Sequence, residues 1–337
     1  VTRIQAKGQI GVKRLADWLK VSQALPASGE IPYQLQVTLA GDASRLSVDS
    51  DLKGVQIDLP APLGKVSADS RPTQFGMNLQ GAQRQLDVSY AGLASFTYAA
   101  PANNLGEGRG ELFVGQGGAQ LPAAKGLRVR GVMDELDLAP WKQKVESYAG
   151  DDPGGNARQV LNEIDLKVRR LKGFGQSLDD VTVALKRSAS AWNLDIASQQ
   201  VTGSVGLPDA KGAPIAVNLQ TVRLPAPDPA AVSPQATVDP PDPLANVDPR
   251  KIPAVDIKVQ RLMQGDELIG TWALKLRPTA KGLAMNGLDL GLKGMQLQGA
   301  GGWEGAPGAS GSWFKGRIEG KNLADVLKAW KFAPTVT

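Results

Sequence analysis

Gly270-Thr271-Trp272-Ala273-Leu274-Lys275-Leu276, followed by Gly282-Leu283-Ala284-Met285-Asn286-Gly287-Leu288-Asp289-Leu290-Gly291-Leu292-Lys293-Gly294-Met295-Gln296-Leu297, alternates apolar and polar side chains with a period of two. That period belongs to a strand, because successive side chains leave an extended backbone on opposite faces. The same rhythm runs through Leu35, Val37, Leu39; Val55, Ile57, Leu59; Phe75, Met77, Leu79; and Leu86, Val88, Tyr90. It returns in Val181, Val183, Leu185; Trp192, Leu194, Ile196; Ile215, Val217, Leu219; and Val255, Ile257, Val259. More than a dozen short strands are expected. Turn formers such as Ala40-Gly41-Asp42, Ala280-Lys281-Gly282 and Lys293-Gly294 separate them, which predicts antiparallel meanders. The fold expected is mainly β: an elongated, twisted antiparallel sheet curled into an open hydrophobic groove, with a few short capping helices.

Composition agrees with this. The 337 residues include 39 Gly and 23 Pro but only 5% aromatics, the usage of a turn-rich β protein. Cys and His are absent, which excludes thiol nucleophiles, Ser-His and Cys-His dyads, His/Cys zinc sites and ordinary haem ligation. The 38 basic and 33 acidic residues are dispersed, so no dense basic patch favours nucleic acid. No stretch approaches the roughly 20 apolar residues that span a bilayer. The chain opens on Val1 without a secretion signal and is read as a segment of something longer, expected to be monomeric by itself.

Three segments read as helices. Lys13 to Lys20 places Leu15, Trp18 and Leu19 on one side. Pro140 to Tyr148 has Pro in its first turn, offers Trp141, Val145 and Tyr148, and meets Gly150 as a stop. A third, near 322–331, has Asn322 as N-cap and an apolar stripe of Leu323, Val326, Leu327 and Trp330. All three are expected to dock on the core.

Gly8-Gln9-Ile10-Gly11-Val12-Lys13-Arg14-Leu15-Ala16-Asp17-Trp18-Leu19 aligns without gaps on Gly316-Arg317-Ile318-Glu319-Gly320-Lys321-Asn322-Leu323-Ala324-Asp325-Val326-Leu327, a strand followed by a short helix. Gly131-Val132 leading to Leu138-Ala139-Pro140-Trp141 is a weaker copy. Asp165-Leu166-Lys167-Val168-Arg169-Arg170-Leu171 similarly matches Asp256-Ile257-Lys258-Val259-Gln260-Arg261-Leu262. Repetition of a β unit suits an array in which each module extends one sheet. The organisation read from these features is a closing strand and helix at 1–22, β modules at 23–150 and 151–224, a Pro-rich linker at 225–253 that crosses along the outside of a sheet, and a final β module at 254–337. Asp151-Asp152-Pro153-Gly154-Gly155-Asn156 marks a loop.

Apparent catalytic motifs fail on inspection. Leu59-Pro60-Ala61-Pro62-Leu63-Gly64-Lys65 ends in the Gly-Lys of a phosphate loop, but such a loop needs Gly at Leu59 and Ser or Thr at Val66. Gly106-Glu107-Gly108-Arg109-Gly110 lacks the helix of a dinucleotide fingerprint. Asp134, Glu135 and Asp137, Asp179-Asp180 and Asp266-Glu267 read as solvated turn acids, since neighbours on a strand point apart. No metal, cofactor or enzymatic activity is expected.

Ser44-Arg45-Leu46-Ser47-Val48-Asp49-Ser50-Asp51-Leu52-Lys53-Gly54-Val55, followed by the Leu59 to Lys65 run, resembles the YhdP/AsmA-like family, in which an S-x-L-x-G segment precedes L-P-x-P-L-x-K. Gly126-Leu127-Arg128-Val129-Arg130-Gly131 running to Leu136-Asp137-Leu138-Ala139-Pro140-Trp141, and Gly301-Gly302-Trp303 with Asn322 to Leu327, look like further elements of it. The resemblance implies a bridge-like lipid-transfer protein of the periplasm, anchored in the inner membrane by a segment absent here and carrying phospholipid between inner and outer membranes. Its partners would be phospholipid acyl chains and, through the full-length protein, both membranes.

An apolar face wider than a few helices can cover would be stabilised by acyl chains, each buried methylene contributing about 0.8 kcal/mol. The expected lipid contacts are Val37, Leu39, Val183, Leu185, Leu194, Ile196, Val217, Leu219, Leu274, Leu276, Leu290 and Leu292. Two other classes compete with this reading. A structural β scaffold of the cell envelope would bury the same face in a closed core, and a carboxylate hydrolase would concentrate acids in one cleft.

Overall fold

The computed structural model describes residues 1–18, 25–149, 160–173, 176–225, 247–306 and 308–320. Two compact units divide the chain, Val1–Thr182 and Val183–Thr337. The first contains β1 (Thr2–Gly11), α1 (Val12–Trp18), β2 (Ala27–Leu39), β3 (Arg45–Ser50), β4 (Val55–Ile57), β5 (Thr73–Asn78), β6 (Gln83–Tyr90), β7 (Ala94–Pro101), β8 (Arg109–Val114), β9 (Gly126–Asp137), α2 (Leu138–Ala149) and β10 (Leu161–Gly173). The boundary falls within β11 (Gln176–Arg187). The second unit continues with β12 (Ala191–Ala197), β13 (Val201–Pro208), β14 (Ile215–Leu224), β15 (Val255–Gln264), β16 (Glu267–Pro278), β17 (Gly282–Leu292), β18 (Met295–Ala306) and β19 (Ala309–Gly320). Among the described residues each unit is mostly strand, arranged as a twisted sheet.

In the first unit the ladder runs β1-β2-β3-β5-β6-β7-β8-β9-β10, while β4 pairs separately with the start of β2. In the second it runs from β12 to β19 in chain order. Most pairs are antiparallel, as the short turns between them require. Among the described pairs three are parallel: β8 with β9, β9 with β10, and β14 with β15. The sheet is therefore mixed. A parallel neighbour can be reached only by a crossover, and the connections at 115–125, 138–160 and 225–254 supply one for each parallel pair. The Pro-rich segment thus joins two parallel strands. Its residues 226–246 lie outside the described part of the chain, but its end is docked: Pro249 is fully buried in a short turn packed on β16, β17 and β18.

The first crossover lies over the polar face of the sheet. Ala119 N donates to Ser95 Oγ at 2.7 Å and Gln120 N to Glu111 Oε1 at 3.1 Å. Beneath it Thr97, Glu111 and Phe113 are buried, and Arg130 stacks its guanidinium over the Phe113 ring. Where a glycine interrupts the opposite face, a neighbouring ring covers the gap. A Cβ at Gly8 would stand 2.7 Å from the Tyr33 hydroxyl, and one at Gly316 2.4 Å from the Phe314 ring.

The helices differ from expectation in detail. In α1 the buried residues are Val12 and Ala16, one turn apart and packed toward β2, while Trp18 is 76% exposed. Trp18 stands two residues past Ala16, about 200° round the helix, so both cannot face the sheet. The start of α2 precedes Pro140 by two residues because the Asp137 carboxylate accepts from Ala139 N at 3.0 Å and caps the first turn, where proline is tolerated. Leu138 packs on Gly173, where a Cβ would come within 2.9 Å of its Cδ1. Leu19 and Lys20, Gly150, the 151–156 loop and the helix near 322–331 lie outside the described residues.

Candidate functional site

Register turns the period-two pattern into continuous rows, because residues directly opposite across a ladder share a face. In the second unit one row runs Ile196, Gly203, Leu219, Val259, Trp272, Leu290, Leu297, Ile318, crossing every strand from β12 to β19. The row one residue away, on the opposite face, runs Asp195, Ser204, Asn218, Lys258, Ala273, Asp289, Gln298, Arg317. No charged side chain enters the first row, and seven of its eight residues are apolar with a side chain.

The first unit repeats the arrangement. Ala6, Leu35, Val48, Phe75, Val88, Phe96, Leu112, Val129 and Ile164 form one row across the ladder, and Ile4, Val37, Leu46, Met77, Leu86 and Tyr98 run beside it. The opposite face carries Gln5, Gln36, Ser47, Gly76, Asp87, Thr97, Glu111, Arg128 and Glu163. Each unit therefore has one apolar and one polar face.

The residues expected to touch lipid are distributed over these rows. Val37 lies in the first unit, and Ile196, Leu219 and Leu290 share the long row of the second. Leu194 and Val217 are joined through Val205 and continue to Ile257 and Leu274. Leu276 stands opposite Val255 and Met285, and Leu292 opposite Gly270 and Met295. Val183 and Leu185 lie in β11. Ten of the twelve are half-buried; Leu39, at a strand end, is 42% exposed and Leu274 is 6% exposed. Half-burial means that neighbouring strands shield each side chain from the sides while its outer surface stays open. Leu274 instead behaves as an ordinary core residue.

Sequence reading passed over much of the first unit's apolar face. Leu46, Val48, Phe96 and Leu112 belong to it, and the alternation of Leu46-Ser47-Val48 and Phe96-Thr97-Tyr98 is the signal that marks them. In the second unit β19 is exposed at every residue but Ser310, with Ile318 70% and Phe314 46% exposed.

The apolar face of the first unit is not uniformly open. Near the ends of β6, β7 and β8 the face carries Tyr90, Ala94 and Val114, which share a row; Ala94 and Val114 are buried. Here the segment 52–66 folds over it. Tyr90 Oη donates to the Leu63 carbonyl at 2.9 Å, and burial pushes its phenol above the ordinary tyrosine range.

That segment contains the Leu59 to Lys65 motif, which has an internal structural role. Lys65 Nζ donates to the carbonyls of Leu52 at 2.9 Å and Val66 at 3.0 Å, and also to that of Val55. The side chain is buried, which pulls its ammonium below the ordinary lysine range. A Cβ at Gly64 would sit 1.8 Å from the Leu59 carbonyl oxygen, so the turn admits only glycine. The Gly-Lys pair thus closes a hairpin, and its cation is already surrounded by backbone oxygens.

The acidic doublets are also engaged. Asp134 pairs with Arg169, Glu135 with Lys172, Asp179 with Arg170, Asp266 with Arg223 and Glu267 with Lys293. These are exposed pairs between neighbouring strands or turns. Among the described residues no group of three or more Asp or Glu could hold a metal ion, and no helix is long and apolar enough to cross a membrane.

No curated protein and no solved structure matches the chain. The family described as YhdP protein matches it over residues 1–337, from the first described strand through the last, and the chain belongs to that family.

Proposed function

We propose that the chain is a segment of a lipid-transfer protein whose apolar β-face carries phospholipid acyl chains between the inner and outer membranes. The observation that carries this reading is the row from Ile196 to Ile318, eight strands wide and free of charge, whose side chains remain partly open to the outside except at Val259, which is 2% exposed. A soluble protein rarely leaves so wide an apolar surface bare, and acyl chains laid on it would gain about 0.8 kcal/mol for each methylene removed from water. Membership in the YhdP family is consistent with a lipid-transfer role.

Carriage of this kind needs no bond to be made or broken. Acyl chains lie against Leu, Val and Ile, while head groups stay at the watery rim. The proposed setting is the periplasm, with membrane attachment belonging to the full-length protein. Neither a cofactor nor a catalytic residue enters the reading. Native mass spectrometry of the purified chain tests it: phospholipid adducts that survive detergent-free purification are expected, and a lipid-free protein that also takes up none from vesicles would overturn it.

A further inference from the structure

The segment 52–66 of the first unit is a small, self-supporting structure. Ile57 N donates to the Lys65 carbonyl at 2.9 Å and Lys65 N returns a bond to Ile57 O at 3.1 Å, around the Lys65 ammonium held by its three carbonyls. β4 joins it to the start of β2, and Val55 is 2% exposed. At its outer end two side-chain contacts hold it to other elements. One is the Tyr90 bond to Leu63; the other is the ion pair of Asp58 with Lys144 of α2, Nζ to Oδ2 2.5 Å.

This segment lies over the apolar face at one end. Ala94 and Val114 are buried there, whereas Val88, Phe96 and Leu112, a step further along the same face, are only half-buried. Between the tip, Ala61 and Pro62, and the opposing Leu93, Gly115 and Met133 lies a cleft of about 840 Å³. The segment is held on one side by the β4–β2 ladder and the bond from Asp58 N to the Pro26 carbonyl at 2.8 Å, is fastened on the other by one exposed ion pair and the Tyr90 hydrogen bond, and sits where it would block a chain sliding along the face. Breaking the two side-chain fastenings, Asp58 to Lys144 and Tyr90 to Leu63, leaves the three Lys65 bonds and the Ile57–Lys65 pair intact, so the far side of the segment would lift while β4 stays on β2.

From this geometry we infer that the segment 52–66 is a strap that closes one end of the apolar face, and that separating Asp58 from Lys144 opens that end to acyl chains. The inference rests on the lipid-carrying reading of the same face and adds its regulation.

The chain contains no cysteine, so Asp58→Cys and Lys144→Cys introduced together can be joined by a disulfide-containing bis-maleimide. The purified chain carries p-benzoylphenylalanine in place of Phe96, near the strap, or in place of Trp272, in the other unit. It is mixed with phosphatidylethanolamine and phosphatidylglycerol vesicles and irradiated. The joined form should lose most lipid capture at Phe96 and keep it at Trp272, and a reductant that cleaves the linker should restore it. Asp58→Asn, which removes only the ion pair, should raise capture at Phe96 by up to about fivefold, the range an exposed pair can shift such an equilibrium. Unchanged capture at Phe96 in the joined form, with capture at Trp272 intact, would overturn the strap and leave the lipid reading standing. Equal loss at both positions would also overturn it, and absence of capture at both in every form would overturn the lipid reading and the strap together.

Discussion

Arg128 Nε donates to Glu111 Oε2 at 2.6 Å across the parallel pair β8–β9, and the Glu111 side chain is wholly removed from solvent while that of Arg128 is 25% exposed. Arg130 stands nearby at 3.9 Å from the same carboxylate oxygen. The crossover 115–125 supplies a further bond to Glu111 from Gln120 N. The pair thus fastens a polar face that would otherwise be open.

Removing the cation alone should be the worst change at this site. Arg128→Met leaves a buried carboxylate short of its main partner and should cost roughly 3 kcal/mol, whereas Glu111→Leu together with Arg128→Met should recover much of that loss. Denaturant melts of the two variants make the comparison. A double variant less stable than the single one would show that the pair itself, and not the desolvated charge, dominates.

Photo-crosslinking should separate the two faces. Probes at Leu194 and Leu276 should capture lipid, and probes at Asn193 and Lys275, one residue along each strand and both exposed, should not. Thr182 and Gln36, also on alternate positions, are only half-buried and should behave like Asn193. Equal capture on both faces would mean that the rows do not define the lipid surface.

Charge placed in the row should divide transport from folding. Leu194→Asp puts a carboxylate where the side chain is half-buried and can reach water, so the melt of the chain should shift little while lipid transfer by the full-length protein is lost. Leu274→Asp, at a position 6% exposed, should unfold the second unit, because a charge there has no route to solvent. Thermal melts beside a vesicle-to-vesicle transfer assay give the contrast. Equal destabilisation by both changes would favour a closed structural core.

Acid should loosen the turn that ends the Pro-rich segment. The Arg250 guanidinium, hydrogen-bonded to the Asp248 carboxylate, holds that carboxyl below the usual aspartate range. A lowered folded pKa stabilises the fold above the unfolded pKa, and the contribution is lost as pH falls through the lower folded value. Carboxyl-carbon NMR should show Asp248 titrating below the ordinary aspartate range, and Arg250→Ala should return it toward that range. A titration unmoved by that change would rule out the Arg250 contact as the cause.

The β character was legible in the sequence because alternation reports directly on strand geometry. Both copies of the Asp165 and Asp256 repeat proved to be strands that begin after a crossover and pair in parallel, β10 on β9 and β15 on β14. The repeat was visible, but its parallel sense was not, since a strand has the same alternation in either direction. Trp18 shows a similar limit. Helical spacing told which residues share a side, and packing against β2 decided that the side bearing Val12 and Ala16 faces inward.

By itself, the sequence determined that the chain alternates, that it has no cysteine or histidine, and that Leu59 to Lys65 and its neighbours resemble one family. Tertiary structure alone decided which residues stand opposite one another, and so joined Ile196 to Ile318 across strands far apart in the chain. It also decided that Leu274 is core while Leu276 is half-open, and that the 52–66 segment lies over Ala94 and Val114. The physical reason is that period two assigns a side chain to a face, whereas burial depends on register and on what packs over that face, and both are set by contacts between residues remote in sequence.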